Sequence, residues 1–513
     1  MAPVNRQQRI WKDIRLSGML GPFRIGVPML AYFFLYPIII NRSGLNVLGL
    51  WSLIATLSTY VGLANVGFSA LFIRAVGAAD TEAEFISIAR EHTSAVRFYA
   101  AVTALLLIFW AIMARTLISN LDVSGIYCPT LLASVALYII GLGFSITAQL
   151  DAAILSGAHQ TYAVQIIDTF SPVIVYSVAL GGALVSRPIE GLTIGSFFAA
   201  LFQFVAYKLR LRKHFPTWQK HALCLSFSET VRTCTSLMRR GVHFYTISLG
   251  FILREPIFRA VIATTLGLSA AGLYEIASRV PAAIREFFVA GSRSLYPAFS
   301  HYHARGLIVE LHHLICRILI VFIAFGHMAL LTYGVGAEAF LRLWLPVVHP
   351  DLVSATRIMT LFWAITVLNV PFWYLLQANG NEKIAARSLF YHTAAIIVLY
   401  PLSMVINLSL QSILWYWVLT SILTQVSIYI AAERTAGAVR PTLLSRQIIL
   451  LGMRFFVAGV LLVGIEYGIL SWSLSSWVTL VILSGNAVLI FSMFLLPMVW
   501  PVVKALFFAR ISE

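Results

Sequence analysis

The chain reads as an all-α polytopic membrane protein. Three observations predict this: apolar runs of span length, scarce charge, and cations confined to alternate loops. The 513 residues are 60% hydrophobic and only 11% charged, with mean hydropathy +0.87. Water-soluble domains average nearer half apolar and a quarter charged. Apolar runs of about 20 residues recur from Ser17 to Val503, each long enough to cross a ~30 Å hydrocarbon core. The alternating pattern of membrane strands is absent from the sequence.

Hydropathy predicts about fourteen spans, near 17–40, 46–72, 96–119, 130–156, 162–185, 189–208, 242–266, 269–298, 312–334, 353–378, 384–407, 409–432, 448–471 and 476–503. With the N-terminus inside, the inner segments hold Arg6, Arg9, Lys12 and Arg15, the basic block from Lys208 to Arg240, and the cations from Arg434 to Arg446. Lys504 and Arg510 follow on the same side, whereas the outer turns hold little beyond Arg42, Arg187 and Arg342. Cytoplasmic loops of membrane proteins carry just this excess, so both termini are expected on the cytoplasmic side. Topology therefore accounts for the net charge of +16 better than a nucleic-acid partner does. Affinity of the inner face for anionic lipid also follows. Cys128 is the only cysteine placed near the outer face, which leaves no external disulfide within the chain. The basic N-terminus lacks a cleavage-site pattern and reads as a retained start.

The sequence repeats itself. Gly44-Leu45-Asn46-Val47-Leu48-Gly49-Leu50-Trp51 opens the second span, and Gly267-Leu268-Ser269-Ala270-Ala271-Gly272-Leu273-Tyr274 opens the eighth. Leu155-Ser156-Gly157-Ala158 and Leu376-Gln377-Ala378-Asn379 make a second match after spans four and ten. Six spans separate the copies. An even number keeps one orientation, which is the parallel repeat of some secondary transporters. The expected organisation is a six-helix bundle at 1–208, a basic cytoplasmic linker at 209–239, a second bundle at 240–432, and helices 13 and 14 with the tail at 433–513. Parallel-repeat transporters hold substrate between their halves near mid-membrane. The outer turns are short, whereas a membrane enzyme acting outside needs a sizeable loop for its acids and metal ligands. The chain is expected to be a transporter, not an enzyme, and to need no cofactor.

Charges within spans mark the candidate site, because a cation at mid-bilayer persists where it faces a cavity or a partner. Glu255 and Arg259, and likewise Glu275 and Arg279, are four apart with the acid N-terminal, the better order for a helical pair. Arg254, Arg285 and Arg24 have no acid at that spacing. Arg24, one to two turns inside the first span, has snorkelling to the interface as its alternative. Pro28, Pro256 and Pro281 each follow an arginine by two to four residues. Prolines free backbone carbonyls that a cavity, water or a neighbouring helix must satisfy. A hydrated cationic chamber is therefore expected. Guanidinium forks suit phosphate, so Arg254, Arg24 and Arg285, with Arg279 after them, are the expected substrate-binding residues for an anionic, phosphorylated cargo. Asp151 and Asp168, near the inner ends of spans four and five, are candidates for an ion-coupling role or ordinary interfacial acids. His301, His303, His312 and His313 cluster without the spacing of a standard metal site, so no metal is expected.

Leu48-Gly49-Leu50-Trp51-Ser52-Leu53 and Leu63-Ala64-Asn65-Val66-Gly67-Phe68-Ser69-Ala70 resemble the second-helix signature of bacterial polysaccharide transporters. Those proteins are the oligosaccharide flippases of O-antigen and exopolysaccharide export. Gly272-Leu273-Tyr274, Ile276-Ala277-Ser278-Arg279, Tyr296-Pro297 and Leu341-Arg342-Leu343-Trp344-Leu345 are similar to the same family. The similarity runs over roughly 10–440, although Asn65 stands where many relatives carry an acid. The resemblance implies two bundles in a V, a cavity lined by helices 1, 2, 7 and 8, and alternating access. It also implies an undecaprenyl-diphosphate-linked oligosaccharide as cargo, with helices 13 and 14 grooved for the tail as in lipid II flippases, provided Glu466 avoids lipid. Expected partners are this lipid-linked glycan, membrane lipids and polysaccharide polymerase or export machinery, with the chain a monomer. A multidrug exporter on the same fold and a membrane glycosyltransferase or polymerase are the alternatives.

Overall fold

A computed structural model describes residues 23, 26–63, 68–79, 81–120, 129–158, 160–215, 226–291, 299, 302–303, 305–406, 408–435, 446–470 and 475–507. Its elements are helices: α1 (26–43), α2 (Leu45–Leu63), α3 (Phe68–Ala78), α4 (Glu82–Asn120), α5 (Pro129–Gly157), α6 (Thr161–Leu184), α7 (Pro188–His214) and α8 (Phe227–Gly291). The chain continues through α9 (Ile308–Val335), α10 (Ala337–Trp344), α11 (Pro350–Ala378), α12 (Glu382–Val405), α13 (Leu410–Thr435), α14 (Arg446–Leu470) and α15 (Ser476–Lys504). Among the described residues, ten helices are long and apolar enough to cross a membrane. The seventh and eighth predicted spans are counted there as one. Separating them and adding α1, α2 and α12 recovers the predicted fourteen.

Gly267 separates those two spans. It has φ 88° and ψ 173° and is the non-helical residue within the 65-residue run of α8. The backbone stays helical through Pro256 and Pro281, so the break falls at glycine instead of at proline. Gly44, its counterpart in the repeat, has φ 81°. Only glycine adopts such dihedrals at little cost, so the first glycine of each repeated motif marks the same chain reversal.

The rest of the repeat has the same register. α5 and α11 are both 29 residues long and both begin at proline, displaced by 221 positions. α6 and α12 are both 24 residues long at the same displacement. The turn between them also recurs: the amide of Gln160 donates to the Leu155 carbonyl at 2.9 Å, and that of Asn381 to the Leu376 carbonyl at 2.8 Å.

The helices divide into two units, residues 1–256 and 257–513. In the first, α6 and α7 form a close hairpin. A Cβ added at Gly182 would lie 2.6 Å from the Gly191 Cα, the close approach of small residues that replaces the hydrophobic drive in lipid. Ser226 and Glu229 cap the start of α8 reciprocally: the Ser226 amide donates to the Glu229 carboxylate at 2.8 Å, and the Glu229 amide to the Ser226 hydroxyl at 3.2 Å. The first turns of α8 then pack on α4. Arg97 donates to Thr230 at 2.9 Å, the Cys234 thiol to the Ser94 carbonyl at 3.2 Å, and Arg240 to Glu91 at 2.5 Å. The linker expected over 209–239 is thus helical from Phe227 onward.

In the second unit, Phe258, Tyr274, Phe362 and Trp417 are buried together, with the Phe258 and Trp417 ring centroids 3.8 Å apart. The side-chain amide of Asn369 donates to the Gln425 carbonyl at 2.8 Å, joining α11 to α13. α9 and α15 each contain a π-turn, Phe322–His327 and Phe491–Leu495, and Phe325 packs on Phe491 across them.

Candidate functional site

The break at Gly267 builds the charged cluster of the second unit. Arg259 and Glu275 are 16 residues apart, roughly 24 Å on an unbroken helix at 1.5 Å per residue. The turn folds the two segments alongside each other instead, so Arg259 Nη2 lies 3.3 Å from Glu275 Oε2. Arg279 reaches the other oxygen, Oε1, as the four-residue spacing predicts. The Glu275 side chain is 1% exposed, against 16% for Arg259 and 30% for Arg279. Two guanidinium groups thus converge on one buried carboxylate, and over residues 254–286 four arginines stand against three glutamates, a formal surplus of one positive charge.

The sequence pairs Arg259 with Glu255, its neighbour at four residues. The structure also brings Arg259 to Glu275, through a chain reversal that helical spacing does not reveal. Arg254 is 7% exposed, a buried cation. Arg285 corrects the reading that it lacks a partner. Its Nη1 lies 2.5 Å from Glu286 Oε1, and its guanidinium stands 5.6 Å from the Trp363 ring centroid. Adjacent residues point about 100° apart on a helix, but the long, half-exposed Glu286 side chain curls back to Arg285. Arg24 lies outside the described residues, as does Asn65.

The two candidate coupling acids differ. Asp151 is buried in α5 with Oδ1 2.8 Å from His92 Nε2 of α4, and Phe72 sits edge-on to that imidazole. Asp168 instead accepts from the Tyr207 hydroxyl at 2.5 Å and from Gln203 at 3.1 Å, both on α7. Asp151 thus meets another titratable group, whereas Asp168 serves as a helix-to-helix acceptor. His92 was not singled out in the sequence; four residues before a span, it gave no signal beyond its polarity. Arg357 was also missed. Its Nη2 lies 2.8 Å from Glu466 Oε1, which gives the acid of α14 a partner within protein. Among the described residues, no group of three or more histidine, cysteine, aspartate and glutamate side chains is placed to hold a metal. His301 lies outside them, and His312 and His313 pack ring against ring.

The second unit also carries an apolar groove of about 530 Å³. Phe325, Met328, Tyr333, Phe340, Leu480 and Phe491 line it, from α9, α10 and α15.

No protein-family model matches the chain, and no curated protein matches it by sequence. Solved structures do. The lipid II flippase MurJ, in an inward closed conformation, superposes with TM-score 0.68 at 10% identity over 94% of this chain and 100% of its own. An inward-facing multidrug resistance MATE transporter of the MOP superfamily gives TM-score 0.61 at 13% identity, over 82% of this chain and 98% of its own. A MOP superfamily transporter from Pyrococcus furiosus, whose reversed binding-pocket polarity is described as suggesting a different function, gives 0.52 at 12% identity, over 85% and 97%. The chain is a multi-pass helical membrane protein with the fold of the MOP-superfamily transporters.

Proposed function

We propose that this protein is a flippase. It moves an undecaprenyl-diphosphate-linked oligosaccharide from the inner to the outer leaflet of the bacterial cytoplasmic membrane by alternating access, for polysaccharide export. Sugar hydroxyls and phosphate charge are costly in hydrocarbon, so they cross within protein while the polyprenyl tail stays in lipid. The observation that carries the reading is the buried cluster in which Arg259 and Arg279 share Glu275, within a segment, residues 254–286, that holds one more arginine than glutamates. It suits a diphosphate and disfavours the cationic drugs that a multidrug exporter would collect. Arg254, Arg285 and Arg24 complete the proposed diphosphate-holding set, with Arg279 contributing from the cluster. The apolar groove of α9, α10 and α15 supports a lipid-linked cargo, since it offers a polyprenyl chain an aromatic-lined path. Asp151, paired with His92, is the better placed of the two acids for an ion-coupling role.

The fold is shared with multidrug transporters, so pocket polarity has to discriminate between the two cargoes. The test measures lipid-linked saccharide in membranes depleted of the protein, then resupplied with wild type or Arg254→Ala. Wild type is expected to clear an accumulated, inward-facing lipid-linked glycan, and Arg254→Ala to leave it at equal membrane abundance. Altered drug sensitivity without glycan accumulation transfers the assignment to a drug exporter.

A further inference from the structure

The second unit carries another cavity, built from residues that the proposed diphosphate site does not use. It holds about 630 Å³, within the ~300–1,000 Å³ typical of small-molecule sites, and is lined by Glu338, Arg342, Ser354, Arg357, Gln411 and Trp415. Helix α10 supplies the first two, the opening turns of α11 the next two, and the opening turns of α13 the last two. The charge distribution assigns this end of the helices to the outside of the membrane.

The pairing of the charges defines what the cavity suits. Arg342 donates from Nε at 3.1 Å and from Nη2 at 2.7 Å to the one oxygen Oε1 of Glu338. Arg357 donates to Glu466. Each guanidinium is therefore neutralised, yet each keeps unused N–H groups from its five. Glu338 Oε2 remains an acceptor. The Gln411 amide nitrogen is engaged by Asp351 at 3.1 Å and by Ser354 at 2.9 Å, which leaves its carbonyl oxygen to accept. Trp415 adds an indole that is 45% exposed.

Paired charges, donors and acceptors side by side, and one open aromatic face together match vicinal hydroxyls, which both donate and accept, over an apolar C–H face. A bare anion would find each arginine already taken and carboxylates beside it. We propose that this cavity binds a neutral saccharide. The source of that sugar rests on the flippase reading, in which glycan emerges on this side; binding itself does not.

The test titrates purified full-length protein in lipid nanodiscs by calorimetry. One arm uses neutral trisaccharides of glucose, galactose and N-acetylglucosamine, and another uses inorganic phosphate and glycerol 3-phosphate, which stand for a lipid headgroup. Saturable binding of at least one trisaccharide is expected, with none of either phosphate. Trp415→Leu and Gln411→Ala, each folded by thermal unfolding, should weaken that binding about tenfold. Absence of binding by every sugar, preference for phosphate, or sugar affinity unchanged in both variants would overturn the assignment. Failed clearance of lipid-linked glycan leaves a positive sugar titration standing, so the two readings fail separately.

Discussion

At the scale of single residues, Glu275 holds the most consequential position. A buried acid between two arginines is stabilising only while the charges remain matched, because an uncompensated buried ion costs more than the pair contributes. Removing the acid takes from both guanidinium groups the buried carboxylate they share. Removing Arg279 leaves Glu275 with Arg259 at 3.3 Å. Glu275→Gln is therefore expected to destabilise the protein by about 3–5 kcal/mol, and Arg279→Gln by about 1–2 kcal/mol. Thermal unfolding in detergent with each variant checks the order, and equal losses would contradict shared pairing. Only half of this arrangement was legible in the sequence. The Glu275–Arg279 pair follows from helical spacing alone. Arg259 joins it through a chain reversal whose geometry has no signature beyond Gly267, and the Arg357–Glu466 pair spans 109 positions, beyond any local pattern.

Among elements, α8 begins with a device the sequence spells out: serine, then glutamate three positions later. Hydrogen bonds from the Ser226 backbone and side chain hold the Glu229 carboxyl below its ordinary value. A carboxyl whose folded value is depressed contributes stability above its unfolded value, and that contribution fades as pH falls through the folded one. The first turn of α8 is thus expected to be protected near neutral pH and to fray in acid, below the usual carboxylate range. Hydrogen exchange at Thr230 and Val231, corrected for the intrinsic rate, reads this directly. Ser226→Ala should show at neutral pH the exchange that wild type shows in acid, and pH-independent protection would count against the cap. The same element shows where span prediction falls short. Phe227 to Arg240 look like linker by hydropathy because the face carrying Thr230, Cys234 and Leu237 is buried against α4, a packing that average hydrophobicity does not register. The lengths of α5 and α6, by contrast, were readable, since each follows a continuous apolar run.

For the whole molecule, the repeat and the cation placement make a joint statement. Helices matched in length at a displacement of 221 residues come from one duplicated plan, and an even number of spans between copies keeps each pair pointing the same way. The turn between α10 and α11 is then expected outside, and the start of α8 inside with the basic block around it. Val347 in that turn is 75% exposed, and Thr235 is exposed on α8, so both positions accept a probe without disturbing packing. In a background lacking the four native cysteines, Val347→Cys is expected to react with a membrane-impermeant maleimide added to intact cells, and Thr235→Cys only after the membrane is opened. The reverse pattern would invert the topology and place the saccharide cavity on the cytoplasmic side. Labelling of both from outside would break the rule that cations mark the inner loops here. The charge argument predicts the first outcome because inverting the chain would require translocating the whole run from Lys208 to Arg240, against the bias that sets orientation during insertion.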